Sequence, residues 1–366
     1  MQKPMRLLFE NGQSFSGYGF GADAEAIAEV VFNTSMAGYQ EILFDPSYCG
    51  QMVVMTYPLI GGYGMADEDY EARAPRLSGL IVREYNDKPS NFRCTRTLGD
   101  VMQEYGVPGI EGVDTRMIAR MLRREGGMRA LLTGADRTDE EGLSLLRAAP
   151  APQDLVRRVS CKRLWYARTP DYRYHVVAID LGVKNSVLQS LNARGCSVTI
   201  VPFDITAEEV LKLRPDGVLL TGGPGDPMDT PEPVALVRAL QGKVPLFGIG
   251  LGHQIIALAN GGATCRLKSP HRGGNHPVRE LATGKAAITS QAHGYAVDRA
   301  SLAGTPLSVT HEDLVDGAVE GLANEGLSVF SVQFQPEGAP GAKDSSHLFG
   351  RFAAMMEQYK GGAAHA

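Results

Sequence analysis

The sequence predicts an α/β protein of two domains, a strand-rich α+β half followed by a half built on a doubly wound parallel sheet. Three observations predict it. The chain has 366 residues, more than one domain of ordinary size. Its first 150 residues hold short apolar runs broken by Gly, Pro, Asn and Asp, the pattern of strands joined by turns. From residue 175 onward, apolar runs alternate regularly with stretches of helical period, as in a parallel sheet covered on both faces.

In the first half, Leu7-Leu8-Phe9 leads into a turn at Glu10-Asn11-Gly12, and further strands are read at Val30–Phe32, Met52–Met55 and Leu77–Val82. Helices are read at Thr97–Tyr105 and Thr115–Glu125; the second carries Met117, Ile118, Met121 and Leu122 at helical spacing. Residues 151–174, with Pro152 and Pro170 among basic and aromatic side chains, read as a linker between domains 1–150 and 175–360. In the second half the strands are His175–Asp180, Ser197–Val201, Gly217–Leu220 and Val244–Ile249. Between and after them come helices at Asn185–Arg194, Ala207–Leu213, Pro231–Leu240 and His253–Asn260. A Gly/Ala tail, Gly361–Ala366, is expected to fray.

Composition narrows the function classes. Hydrophobic residues at 43% and charged residues at 21% exclude a disordered or fibrous chain. Lys plus Arg number 36 against 41 Asp plus Glu, a net charge of −5, so nothing pulls the chain towards nucleic acid or anionic lipid. Cys49, Cys94, Cys161, Cys196 and Cys265 form no C-x-x-C pair, and their odd number fits neither a disulfide framework nor zinc. Met1–Gly12 lacks the apolar core of a signal peptide, and no run approaches the roughly 18 apolar residues that span a bilayer. A cytoplasmic protein is expected.

In a parallel sheet, ligands bind beyond the C-terminal strand ends, where two Gly-rich loops stand out. Leu220-Thr221-Gly222-Gly223-Pro224-Gly225-Asp226-Pro227 lets backbone N–H groups approach a ligand, but it lacks the Lys-Ser/Thr ending of a P-loop. Gly248-Ile249-Gly250-Leu251-Gly252-His253-Gln254 runs strand to turn to helix with glycines two residues either side of its centre. That is the pattern of a nucleophile elbow, yet its centre, Gly250, has no side chain.

Several segments resemble the small, glutamine-amidotransferase subunit of carbamoyl phosphate synthetase. In the first half these are Val31–Leu43, Asp45–Tyr48, Thr56–Pro58 and Gly112–Arg116. In the second they are Gly223–Pro227, Gly252–Gln254, Gly273–Pro277 and His293-Gly294. The resemblance covers nearly the whole chain and implies a class I triad glutaminase domain. It also implies, for a partner, the large synthetase subunit, which would carry the ATP and magnesium chemistry; no cofactor is expected on this chain. By the same resemblance, Ser47, Gly223, Gly225, Leu251, Gln254, Gly294 and Tyr295 would contact glutamine.

The departures fall on the chemistry. The family's elbow, Gly-Ile-Cys-Leu-Gly, places a nucleophilic Cys where this chain has Gly250. The family's Gln-Gly-His-Pro-Glu supplies a base and the Glu that orients it; here the segment is Gln333-Phe334-Gln335-Pro336-Glu337, so the base position is Gln335 and only Glu337 is retained. A glutamine-contacting Asn is replaced by Ala292, which disfavours glutamine binding. An amide cannot take a proton at neutral pH, and covalent catalysis has no route without a nucleophile. The expectation is a structural or regulatory subunit of an ammonia-fed synthetase in pyrimidine or arginine synthesis, forming a heterodimer. Two alternatives stand beside it: glutamine hydrolysis through another nucleophile, Cys49 being the candidate, and a stand-alone amino-acid-binding protein. His253 and His293 read as structural, Arg120, Arg123 and Arg124 as one helix face, and Glu337 as a turn carboxylate. His271 and His276 lack a third metal ligand in sequence, so no metal site is expected.

Overall fold

The computed structural model describes residues 3–363, which fall into two compact units. One runs through Leu155 and takes in Lys268–Gly273; the other holds Val156–Leu267 and the chain from Gly274 on.

The first unit begins with β1 (Pro4–Phe9), β2 (Ser14–Gly21) and β3 (Ala26–Asn33), followed by α1 (Tyr39–Phe44). It continues with β4 (Gln51–Met55), β5 (Leu59–Ile60), β6 (Gly79–Ile81), β7 (Glu84–Tyr85), α2 (Leu98–Glu104) and β8 (Pro108–Glu111). The last elements are α3 (Thr115–Glu125), β9 (Met128–Gly134) and α4 (Asp139–Ala148). Seven strands close into a barrel in the order β1-β2-β8-β6-β4-β3-β9, which removes the exposed edges an open sheet of this size would carry. The β1–β2 hairpin turns at Gly12, where φ is 86° and a side chain would be strained. Strand alternation then sorts the core: Met5, Leu7 and Phe9 pack in a cluster with Ile118, Met121 and Leu122 of α3, while Leu8 points the other way to Leu146 of α4. α3 starts where the Asp114 carboxylate accepts the Met117 N–H and ends at Gly126. Met117, expected in the apolar stripe, is 53% exposed, because a helix advancing about 100° per residue carries it past the face that meets the barrel.

Past α4, residues 151–174 are not the irregular linker expected from their prolines. They contain α5 (Leu155–Val159) and β10 (Trp165–Ala167), and β10 pairs antiparallel with a later strand of its own unit, Trp165 opposite Ile200.

The second unit then alternates β11 (Tyr174–Asp180), α6 (Asn185–Asn192), β12 (Cys196–Pro202), α7 (Ala207–Lys212), β13 (Gly217–Leu220), α8 (Pro231–Leu240), β14 (Leu246–Ile249) and α9 (Leu251–Ala259). It closes with β15 (Thr264–Glu280), β16 (Ala286–Val297), β17 (Ser308–Asp313), β18 (Val319–Asn324), β19 (Val329–Val332) and α10 (His347–Ala363). The sheet has ten strands in the order β10-β12-β11-β13-β14-β19-β18-β16-β15-β17. Its centre, β12-β11-β13-β14-β19, is parallel throughout. One face packs Val177, Ile179 and Val201 against α7, α8 and α9; the other packs Val176, Ala178 and Ile200 against α6 and α10. The antiparallel extension β15–β18 was not expected from sequence. α10 runs on through residues 361–363 of the expected frayed tail, and residues 364–366 lie outside the described residues. Among the described residues no helix is long and apolar enough to cross a membrane.

Candidate active site

The parallel strands deliver three loops to their C-terminal ends, and the glycines of those loops are dictated by packing. β14 passes through Gly250 directly into α9, with φ 56° and ψ −110° at Gly250. This is the sharp strand-to-helix turn of an elbow, in a backbone region that strains any residue with a Cβ. A Cβ on Gly248 would lie 2.7 Å from the Gly252 carbonyl oxygen, and one on Gly252 would lie 2.4 Å from the Leu220 carbonyl oxygen. Both flanking positions therefore have to be glycine for α9 to sit against β13 and β14. Gly250 itself is different: a Cβ there would meet Gly222 Cα at 3.5 Å and the Gln333 carbonyl at 3.8 Å, ordinary contact distances. A Cβ there displaces no neighbour, so at Gly250 it is the backbone conformation and not packing that favours glycine.

Around the elbow the second unit assembles most of the residues singled out in sequence. Leu251 is the first residue of α9, where the N–H has no partner within the helix. Gly223 lies in the loop after β13, so close to β11 that a Cβ would sit 2.2 Å from the Leu181 carbonyl, and Gly225 turns the same loop at φ 93°. The buried Gln254 donates from Nε2 to the Tyr295 carbonyl at 2.7 Å and to Gln333 Oε1 at 2.9 Å. Its amide is therefore spent on tying α9 to β16 and to the segment after β19. Ala292, Gly294 and Tyr295 lie on β16. Gln335 bridges to the same strand, its N–H donating to the Ser290 carbonyl at 2.9 Å. Ser47 belongs to the first unit, in a short turn where its N–H donates to Asp45 Oδ1 at 2.8 Å.

Glu337 is more than the turn carboxylate expected from sequence. Its Oε1 accepts from Lys184 Nζ at 2.9 Å, and both side chains are buried. Lys184 Nζ also donates to the Ala339 carbonyl. The loop presenting Lys184 is fixed by Asp180 at the end of β11, whose carboxylate accepts the N–H groups of Gly182, Val183 and Cys161. Burial raises the Asp180 carboxyl above the usual carboxylate range, although these three N–H bonds pull it back. The second oxygen of Glu337, Oε2, is buried and has no hydrogen-bond partner among the described residues. Sequence reading missed Lys184; the only signal was its place in the loop ending the first parallel strand, at the C-terminal edge where ligands bind.

His253 of α9 and His293 of β16 are both engaged in hydrogen bonds within the unit. His253 is fully buried, its Nδ1 is 2.9 Å from Ser331 Oγ, and burial lowers it to about 3. His293 directs Nδ1 to the Tyr295 carbonyl at 2.7 Å and Nε2 to Gln291 Oε1 at 2.6 Å.

The elbow, its packing glycines and the buried Glu337 all follow strands of the parallel sheet, at their C-terminal ends. A carbamoyl phosphate synthase small chain from Bacillus caldolyticus is 50% identical over 363 residues, covering 99% of either chain. The chain belongs to the carbamoyl phosphate synthase small-chain family. The family profile described as carbamoyl-phosphate synthase small chain, CPSase domain, matches residues 7–132, and that for class-I glutamine amidotransferase matches residues 177–355. A pyrimidine-specific small chain from Bacillus subtilis is 48% identical over 352 residues, 96% of either chain. A solved GMP synthase subunit from Thermoplasma acidophilum is 20% identical, covers 52% of this chain and 98% of its own, and gives a TM-score of 0.45. As a small chain, the protein has an α/β fold in which the first profile falls on the barrel and the second on most of the sheet carrying the elbow.

Proposed function

We propose that this small chain serves carbamoyl phosphate formation without hydrolysing glutamine itself, in a structural or regulatory role beside a large synthetase subunit supplied with free ammonia. The observation that carries this reading is Gly250: the elbow backbone stands at φ 56° and ψ −110° with no nucleophile on it. Gln335 in the base position adds to it, since positioned base catalysis is worth about 10²–10⁴-fold and an amide provides none. The buried, unbonded Oε2 of Glu337 fits a carboxylate whose former partner is gone. Glutamine binding is disfavoured by Ala292 and by Gln254, whose amide N–H groups are already engaged. The large subunit would carry ATP and magnesium, and the pyrimidine branch is favoured over the arginine branch by the names of relatives from Bacillus subtilis and Halalkalibacterium halodurans. A cytoplasmic location and a heterodimer belong to the same proposal.

Residual hydrolysis through Cys49 is disfavoured because that thiol is 4% exposed and so poorly placed to meet a substrate. Co-expression with the cognate large subunit tests the proposal. A stable complex that makes carbamoyl phosphate from ammonia but not from glutamine supports it. Separate elution, or synthesis indifferent to the small chain, refutes it.

A further inference from the structure

We propose that the concavity beside α3 in the first unit binds a small anion carrying two or more linked phosphate groups. Arg116, Arg120 and Arg123 follow one another at i, i+4 and i+7 along α3, so they share one helix face, and all three line a cavity of about 750 Å³. Arg83, from the chain between β6 and β7, lines the same cavity. Against these four guanidiniums the lining offers one carboxylate, Asp114, whose Oδ1 is held at the helix start by the Met117 N–H.

Among the described residues, none of the four guanidiniums has an ion-pair or hydrogen-bond partner. The one contact is Arg123 over the Phe32 ring, 5.7 Å from its centroid. Four other arginines of this unit form ion pairs, Arg6 with Asp139, Arg93 with Asp69, Arg96 with Glu104 and Arg137 with Glu25. Like charges one turn apart on a helix repel, and a chain with net charge −5 has acidic groups with which to quench them, yet at this cavity it does not. Lone cations focused in a concavity attract anions, and the planar guanidinium fork matches pairs of phosphate oxygens. The cavity volume lies within the roughly 300–1,000 Å³ of small-molecule sites. Its cations come from two elements around a hollow, which suits a compact polyanion better than an extended acidic chain.

The test is titration calorimetry on the full chain with inorganic pyrophosphate, a nucleoside diphosphate and a poly-glutamate peptide as probes. Saturable 1:1 binding of pyrophosphate is expected, weakened at least tenfold in Arg116→Gln/Arg120→Gln and weakened as salt rises. Arg163→Gln, an exposed arginine outside the cavity, should leave binding unchanged. Equal affinity for both phosphate probes means that the phosphate groups alone are recognised; tighter nucleoside diphosphate binding means that its ring adds contacts. Should the double variant fold poorly, Arg83→Gln, on a different element, carries the same expectation. Absence of saturable pyrophosphate binding, binding indifferent to the cavity variants, loss in Arg163→Gln equal to theirs, or binding of the peptide alone overturns the proposal.

Discussion

Lys184 Nζ lies 2.9 Å from Glu337 Oε1, an ion pair between residues 153 apart in sequence and sealed from solvent on both sides. It joins the loop after β11 to the segment after β19, across the C-terminal edge of the sheet. A buried pair is costly to break from one side, because the remaining charge keeps its desolvation cost and loses its partner. Lys184→Met is therefore expected to destabilise the chain by about 3–5 kcal/mol, measured by urea unfolding. Lys184→Met/Glu337→Leu should recover most of that loss. Additive losses in the double variant would show that the two side chains do not act as a pair.

The elbow glycines should separate by role. Gly250→Ala places a Cβ at ordinary contact distances but on a strained backbone, for an expected loss of about 1–3 kcal/mol. Gly252→Ala drives a Cβ to 2.4 Å from the Leu220 carbonyl oxygen, so α9 has to leave the sheet. The expected loss is about 3 kcal/mol or more. Thermal unfolding of the two variants gives the order directly, and Gly250→Ala proving the worse would contradict the packing described.

Acid should unfold the protein through its buried histidines. Burial lowers His253 to about 3 and His311 to about 4, both below the unfolded value of about 6.5. Below pH 6.5 the unfolded chain takes up protons that the folded chain refuses, so stability falls with pH down to the folded values. Well below pH 6.5 each histidine contributes about 1.4 kcal/mol per pH unit, and the pair about 3 kcal/mol between pH 6.5 and pH 5. Asp180, whose carboxyl is raised, titrates in the opposite sense and offsets part of the loss at the acid end. His311→Gln should remove about half of the histidine slope in urea unfolding measured from pH 7 to pH 5; an unchanged slope would exclude His311 as a source.

Much of this fold was legible because local pattern and tertiary role agree. β11, β12, β13 and β14 fall within two residues of the apolar runs that announced them, since a strand buried on both faces has to be apolar along its length. The elbow was legible for the same reason: Gly248 and Gly252, two residues either side of the turn, encode a packing constraint that sequence displays. β15 was not. Thr264–Glu280 is largely polar and, over its first seven residues, exposed or half-buried throughout, so no period of two marks it, and it is held by pairing with distant strands. β10 was hidden by its shortness and by the charged residues around it. Lys184 was hidden because a lysine is ordinarily solvated, and nothing local reveals a carboxylate captured from the far end of the domain.

If only the reacting groups have been lost, returning them should return some chemistry. Gly250→Cys/Gln335→His/Ala292→Asn is expected to hydrolyse glutamine slowly, because a Cβ at 250 meets no atom closer than 3.5 Å and the base would be restored. Gly250→Cys alone should stay silent: a thiol with an ordinary pKa near 8.5 is only a few per cent thiolate at neutral pH, and its base is absent. A well-folded triple variant that neither turns over glutamine nor reacts at Cys with a glutamine-like electrophile would show that the pocket has changed beyond its three substituted positions.

The most direct measurement is ammonia release from glutamine by the purified chain, alone and in complex with its large subunit. With Gly250 at the elbow and Gln335 in place of the base, release is expected to stay at the uncatalysed background in both preparations. Release that rises in proportion to the chain's concentration and disappears in Cys49→Ala would contradict the account and establish a working glutaminase built on a different nucleophile.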